Sequence, residues 1–432
     1  MKHLLTFLLV FTFVFSSIWA KADSDELSLV ELIDIALQNN PETEKVWAHV
    51  KRAQAVIGIT QSKEYPHLDA QGSVTHGREV KYPNGPDTTF TSYGGELNLN
   101  YLLCDFGENK AAIRAAKENL SAAKWWADFA IQKVIADVAT NYYELLNARE
   151  LLATMEDSLQ DAKKILEAAH DLKYAGLRSE NDYITVKATV SEILMSLTQK
   201  KASAAIAYGK LLTCMGIPVE TKLHIQPIPD EILNPLFEEG IQSLLSMAQE
   251  QRADLMAKRA SLADMNARLD RSKRAFLPKL YVRGQGGWLE YGKHQGNGYN
   301  FSTGLALNVP VFQGFQYSYE KRQAITDAQI SAAEIRELQN MIAFEVLSYS
   351  ETVKAASEAM QYSQEFFIDA FQSYQNSLGS YKAGVLNVFD LLQTQRYLSE
   401  ARNKKALART AWLVSLSQLA FATGSIKSPS MK

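Results

Sequence analysis

Leu97-Asn98-Leu99-Asn100-Tyr101 returns as Leu305-Ala306-Leu307-Asn308-Val309, a displacement of 208 positions (305 − 97). The same displacement carries Ala175-Gly176-Leu177 onto Ala383-Gly384-Val385, Asp182 onto Asp390, and Leu211 with Gly216 onto Leu419 with Gly424. Upstream, Tyr65-Pro66-His67-Leu68 matches Leu277-Pro278-Lys279-Leu280 at 212 (277 − 65), so the second copy is four residues shorter in between. The chain is therefore built from two halves of one architecture. Both opening segments alternate apolar and polar residues, the period of a strand with two unlike faces.

Each half carries two such strands around a polar, Gly-rich loop. In the first, Leu68, Ala70, Gly72 and Val74 alternate with polar neighbours, then Tyr93, Leu97, Leu99, Tyr101 and Leu103 do so. The second repeats this with Leu280, Val282 and Trp288, then Phe301, Thr303, Leu305, Leu307, Val309 and Val311. The loops are expected over 77–90 and 289–300, where Asn84-Gly85-Pro86 and Gly296-Asn297-Gly298 are turn chemistry. Alternation over about ten residues with aromatics near the ends is the signature of transmembrane β-strands, although a soluble hairpin on a core alternates too.

Downstream of each strand pair lies a segment too long for a globular core. Between Gly107 and Gly176, and between Gly314 and Gly379, there is neither Gly nor Pro, so each stretch is expected to be one helix on the order of 100 Å long. Leu145, Leu152, Leu159 and Leu166 recur every seventh residue with Ala148, Met155, Ala162 and Ala169 three places later. Val353, Met360, Phe367 and Tyr374 with Ala356, Ser363, Ala370 and Ser377 repeat the pattern in the second half. Return helices are expected from about Asp182 and Asp390, after turns at Gly176 and Gly384.

The 432 residues carry 45 basic and 48 acidic side chains, which gives no footing for nucleic-acid binding. Lys2, the apolar run over 4–14 and Ala20-Lys21-Ala22 have the order of a secretory leader, so residues 1–22 are expected to be removed. No later run of about 18 apolar residues is present, so a membrane span would have to be β. Cys104 and Cys214 are expected as two free thiols. Histidines at 49, 67, 76, 170, 224 and 294 lack metal-ligand spacing, and Gly284-Gln285-Gly286-Gly287 lacks the setting of a nucleotide loop; neither an enzyme nor a cofactor is indicated.

Four strands cannot close around a lumen, and open edges are not tolerated in lipid, so several chains are needed. Two chains would give a nearly filled interior; three would leave a water-filled passage. The alternatives are a periplasmic coiled-coil adaptor, which would show one hairpin flanked by compact β-domains, and a purely structural coiled coil, which would not need the strands.

From about Ser28 to Gly424 the chain resembles the TolC-like outer-membrane efflux proteins. The resemblance rests on Ser28-Leu29-Val30-Glu31-Leu32 through Ala36-Leu37-Gln38-Asn39-Asn40-Pro41, on Pro66-His67-Leu68 and Pro278-Lys279-Leu280, and on two Ala-Gly turns each followed six residues later by Asp182 or Asp390. It implies a mainly α fold with a β-barrel portion: a homotrimer in outer-membrane lipid, four transmembrane strands per chain, and long coiled-coil-like helices forming a periplasmic tunnel. It further implies docking to a periplasmic adaptor protein and an inner-membrane pump, as the duct of a tripartite efflux pump or a type I secretion system. The layout is then a leader (1–22), a first repeat (23–219), a linker (220–240) and a second repeat with a short tail (241–432). Carried over by position, Asp182, Asp390 and Tyr381 fall on the constriction at the tunnel's inner end. The family's arginine two residues after the turn glycine is here Leu386; Arg178, in the first turn, is the candidate substitute. The plain alternative for Asp182 and Asp390 is helix N-capping.

The leader reading predicts that protein extracted from membranes has an intact mass beginning at Asp23. Retention of residues 1–22 would overturn it.

Overall fold

The computed structural model describes residues 26–79, 88–227, 240–291 and 296–426. The expected leader and the Asn84-Gly85-Pro86 turn lie outside them. In chain order the elements are α1 (Leu29–Asn39), α2 (Pro41–Gln61), β1 (His67–Glu79), β2 (Thr88–Cys104), α3 (Glu108–Tyr174), α4 (Glu180–Cys214), α5 (Ile241–Gln251), α6 (Ala253–Ser272), β3 (Lys279–Tyr291), β4 (Gly296–Asn308), α7 (Gln316–Lys382) and α8 (Val388–Thr423). Contacts divide the chain into two units, each drawing on both repeats. One comprises residues through Lys45, Asp128–Ala253 and those from Gln339; the other comprises Val46–Ala127 and Asp254–Leu338.

The second unit holds the sheet, antiparallel throughout in the order β1-β2-β3-β4, which leaves β1 and β4 as edges. Its register sorts the side chains cleanly. Asp69 pairs with Asn98, which pairs with Gln285, which pairs with Ser302; one position on, Leu68, Leu99, Gly284 and Thr303 form the next row, on the opposite face. Glu96 on the polar face accepts from Asn98 and Gln285, both at 2.8 Å. The apolar face is bare: Val74 is 72% exposed, Phe301 89% and Leu305 71%, with Leu68, Tyr93, Leu97, Trp288 and Leu307 also exposed. Burying one such side chain is worth about 1.5–3 kcal/mol, so the row forgoes on the order of 10–20 kcal/mol in water, as much as the whole net stability of a typical domain.

One expectation needs correction here. Gly296-Asn297-Gly298 is not the turn but the start of β4, because the ladder with β3 continues to Tyr291↔Gly296 and leaves only 292–295, outside the described residues, for the connection. The second long helix, α7, runs through Gly379 to Lys382, just before the expected turn at Gly384.

The strands hand over to the long helices through two consecutive left-handed residues, Phe106 (φ 54°) and Gly107 (φ 90°) in the first repeat, Gly314 (φ 60°) and Phe315 (φ 64°) in the second. Asp105 secures the first corner, accepting from the backbone N–H of Gly107 at 3.0 Å and of Asn109 at 2.6 Å.

In the first unit α3 and α7 return as α4 and α8. On α7 the expected seam is buried at Val353, Ala356, Ser363, Ala370 and Tyr374. On α3 the expected seam is buried at Leu145, Met155, Ala162 and Ala169, but Leu152, Leu159 and Leu166 are only half-buried, and Leu151, Ser158 and Ile165 beside them are buried instead. A polar ladder to α8 runs along the buried face. Thr154 Oγ1 donates to Asn403 Oδ1 at 3.1 Å, Ser158 Oγ to Ser399 Oγ at 3.0 Å, and Asp161 pairs with Arg402 at 2.9 Å. Part of the expected linker is also bonded: Leu27 donates to His224 O at 2.7 Å and Gln226 donates to Leu27 O at 3.1 Å. Among the described residues no helix is long and apolar enough to cross a membrane.

All of α3, α4, α7 and α8 end in the same way, with a left-handed glycine whose successor donates to a carbonyl five residues back: Leu177→Leu172, Ile217→Leu212, Val385→Ser380 and Ser425→Ala420. Their surroundings differ. A Cβ on Gly216 would stand 2.5 Å from the Asn39 oxygen and one on Gly424 2.9 Å from the Arg252 nitrogen, whereas Gly176 and Gly384 have nothing within 4 Å. Each close approach is matched by a side-chain bond at the neighbouring helix break, Asn40 Nδ2 to Cys214 O at 2.7 Å and Arg252 Nη1 to Ala422 O at 3.4 Å, acceptors again 208 apart (422 − 214). Replacing Gly176 or Gly384 by Ala should therefore lose only about 1 kcal/mol from left-handed strain. Gly216→Ala and Gly424→Ala, which add a backbone clash, should lower the thermal midpoint of extracted protein markedly more. Equal losses at all four would contradict this account.

Candidate functional site

The four residues singled out in the sequence lie at the two turns of the first unit. After Gly176 the chain enters α4 through Ser179, whose Oγ accepts from the Asp182 N–H at 3.2 Å and donates to Asp182 Oδ1 at 2.9 Å. After Gly384 it enters α8 through Asn387, whose Oδ1 accepts from the Asp390 N–H at 2.9 Å and whose Nδ2 donates to Asp390 Oδ2 at 2.6 Å. Asp182 and Asp390 are thus not the caps themselves. Ser179 and Asn387 cap, and the carboxylates sit in the first turn, where the helix dipole favours negative charge.

Tyr381 and Arg178 join the two turns. The Tyr381 side chain is fully buried, packed with Ile165, Ala169, Val186, Val388 and Leu391. The Arg178 guanidinium carbon lies 5.7 Å from the centre of that ring. From there Arg178 Nη2 donates to the carbonyls of Gly384 at 3.0 Å and Leu386 at 2.5 Å. Arg178 and Leu386 occupy corresponding positions of the repeats, so the arginine of one turn neutralises orphan carbonyls of the other. Burial pushes the Tyr381 phenol above its usual range; the nearby Asp182 carboxylate adds to this and Arg178 opposes it.

The structure therefore gathers Arg178, Tyr381 and half-buried Asp182 into one group. Asp390 stands apart: it is exposed, and its hydrogen bonds go to Asn387 alone. Reasoning from sequence passed over Ser179 and Asn387, although a polar cap three residues before an acid was visible at both places. It also passed over Lys173, which pairs with Glu180 across the first turn and lies 5.0 Å from the Tyr183 ring.

A second buried tyrosine repeats the motif one heptad earlier. The Tyr374 hydroxyl, like that of Tyr381, is buried without a hydrogen-bond partner. Burial raises its phenol, as does Asp161, while Arg402 lowers it. Among the described residues no cluster of His, Cys, Asp and Glu could hold a metal ion.

The family model described as "Outer membrane efflux protein" matches residues 32–216 and 244–425. Protein CyaE of Bordetella pertussis is 25% identical over 392 residues, covering 89% of this chain and 81% of that protein. Outer membrane protein TolC of Vibrio cholerae is 22% identical over 424 residues, covering 95% and 92%. Among solved structures, the outer-membrane channel OprN superposes with a TM-score of 0.81 at 18% identity, over 92% of this chain and 89% of that one. The CmeC outer membrane channel of Campylobacter jejuni gives 0.81 at 18% identity, over 94% and 87%.

Because neither buried hydroxyl makes a hydrogen bond, Tyr374→Phe and Tyr381→Phe should leave stability at neutral pH unchanged or slightly raised. Their raised phenols also fix a sign. The folded state holds them neutral, so their contribution is intact below the unfolded value of about 10 and is lost as the unfolded chain ionises above it. Thermal midpoints measured from pH 8 to pH 11 should fall less steeply in the double variant than in the native protein; parallel curves would refute this.

Proposed function

The chain belongs to the outer membrane efflux protein family, and on that premise we propose that three copies assemble into one export duct, closed at its inner end by the paired turns. The carrying observation is the two-faced sheet with open β1 and β4 edges. An outer-membrane channel protein must present an apolar exterior to lipid, and the row from Leu68 to Leu307 supplies it. In a trimer β4 of one copy would pair with β1 of the next, so that twelve strands enclose a passage lined by the polar face of Asp69, Glu96, Asn98 and Gln285. The periplasmic helices would then meet an adaptor protein and an inner-membrane pump. A free periplasmic adaptor is the weaker reading, because it would leave the apolar face of the sheet in water.

At the turns, Arg178 acts within one copy, fastening the first hairpin to the second through the Gly384 and Leu386 carbonyls. Tyr381 positions that contact from inside the core. Asp182 and Asp390, at the helix starts, would face the opening where three copies converge and supply rings of carboxylates of the kind that make pores cation-selective. The layout of leader, two repeats and linker is proposed on the same footing.

Solubilised protein should have a mass about three times that of the mature chain, and planar-bilayer recordings should show cation preference. Converting Asp182 and Asp390 together to Asn keeps the hydrogen-bonding shape and removes the charge. Cation preference should weaken with trimer mass unchanged; unaltered preference would leave the carboxylates only their role at the helix starts.

A further inference from the structure

Within the second unit, α2, α3, α6 and the start of α7 line an open cavity of about 560 Å³. That is within the usual size range of small-molecule sites. Its charged lining is biased: Lys63, Arg268, Arg271 and Lys279 against Glu108 and Glu320. Glu108, its side chain only 13% exposed, is taken up by Lys279 at 2.6 Å and by Arg271 at 3.5 Å. Arg268 is held on the far side by Asp264, with bonds of 2.8 and 3.0 Å. Lys63 has no ion-pair partner among the described residues, and the lining keeps a positive excess. One stretch of the remaining wall is small and apolar, formed by Ala112, Ala115, Ala116 and Ala275, while Thr60, Asn119, Ser272, Gln316 and Tyr317 add uncharged polar groups elsewhere.

We propose that this cavity binds an organic anion, its carboxylate or sulfonate met by Lys63 and Arg271 and its apolar body laid against the alanine wall. Three features favour that ligand over a cation or a neutral solute. Clefts with low-dielectric walls focus the field of the charges that line them. Arg271 offers a planar donor fork suited to carboxylate, and its existing contact to Glu108 is long enough to be shared. Alanines where larger residues would close the cavity leave room for a ring or short chain. Lys279 begins β3 at a position in phase with Arg283 and Gln285, so the cavity continues the polar face of the sheet. If that face lines the duct of the proposed trimer, the occupant is a molecule in transit; the affinity for an anion does not depend on that reading.

The test uses full-length protein in nanodiscs of neutral lipid, titrated calorimetrically with 2-naphthoate and with 2-naphthylmethylammonium, which share a ring and differ in charge. Naphthoate should saturate at about one site per chain and bind at least about tenfold more tightly than the cation. Lys63→Gln with Arg271→Gln should weaken naphthoate about tenfold, the loss expected for charged hydrogen bonds. Arg268 is left in place because its removal would strand buried Asp264. Ala112→Leu, which keeps every charge and fills the cavity, should weaken it comparably. Equal affinity for the two probes, or undiminished naphthoate binding in both variants, overturns the proposal. Naphthoate binding that persists in protein forming no channel in bilayers would uphold the anion site and reject the duct.

Discussion

A β1 or β4 edge placed in hydrocarbon presents a row of N–H and C=O groups that water cannot reach, and each unsatisfied group costs several kcal/mol. The rest of the molecule answers to that constraint. A four-stranded sheet with one apolar face has no way to meet it alone, so a partner of the same kind must supply the missing hydrogen bonds. The duplication then has a clear physical use. Each repeat brings one hairpin, β1 with β2 and β3 with β4, and the β2–β3 pairing joins them with nearly unbroken register from Ser92↔Tyr291 to Leu102↔Tyr281.

The helices are held by a different kind of bond in each place. At the ends of α4 and α8 the glycine backbone is pressed against a helix break, and Asn40 or Arg252 reaches across to satisfy a terminal carbonyl. Along the length, polar rungs from Thr154, Ser158 and Asp161 to α8 fix the alignment of two helices that apolar contacts alone would hold less specifically. At the far turns the glycines are unencumbered, and among the described residues Arg178 bridges one turn to the other by hydrogen bond. Constraint is heaviest at one end of each return helix and lightest at the other.

The features legible in the sequence were those with a short period or a fixed offset. Alternation around Leu97 and Leu305 named the strands, because side chains on a pleated strand take opposite faces in turn. Glycines at 176 and 384 named the turns, because only glycine adopts a left-handed cap without penalty. Contacts whose acceptor is a backbone carbonyl left no trace: nothing about Leu386 as a residue type announces that its oxygen receives Arg178. Nothing in the local sequence marks Asp161 as buried, since its partner Arg402 lies 241 residues away. The heptad of α3 named only part of the buried stripe: Leu145, Met155, Ala162 and Ala169 face inward as expected, but Leu159 is half-buried beside the buried polar rungs Ser158 and Asp161.

The strand-to-helix corners carry a further meaning. In one repeat the pair of left-handed residues reads Phe-Gly, in the other Gly-Phe, so that the phenylalanine bearing the strain has changed places with the residue that escapes it. The letters are exchanged between the two halves while the bend in the chain is the same. The repeat in this molecule is kept more faithfully in dihedral angles than in residue identity, and a search for further copies of the segment would do better to look for two successive left-handed residues after a strand than for any particular dipeptide.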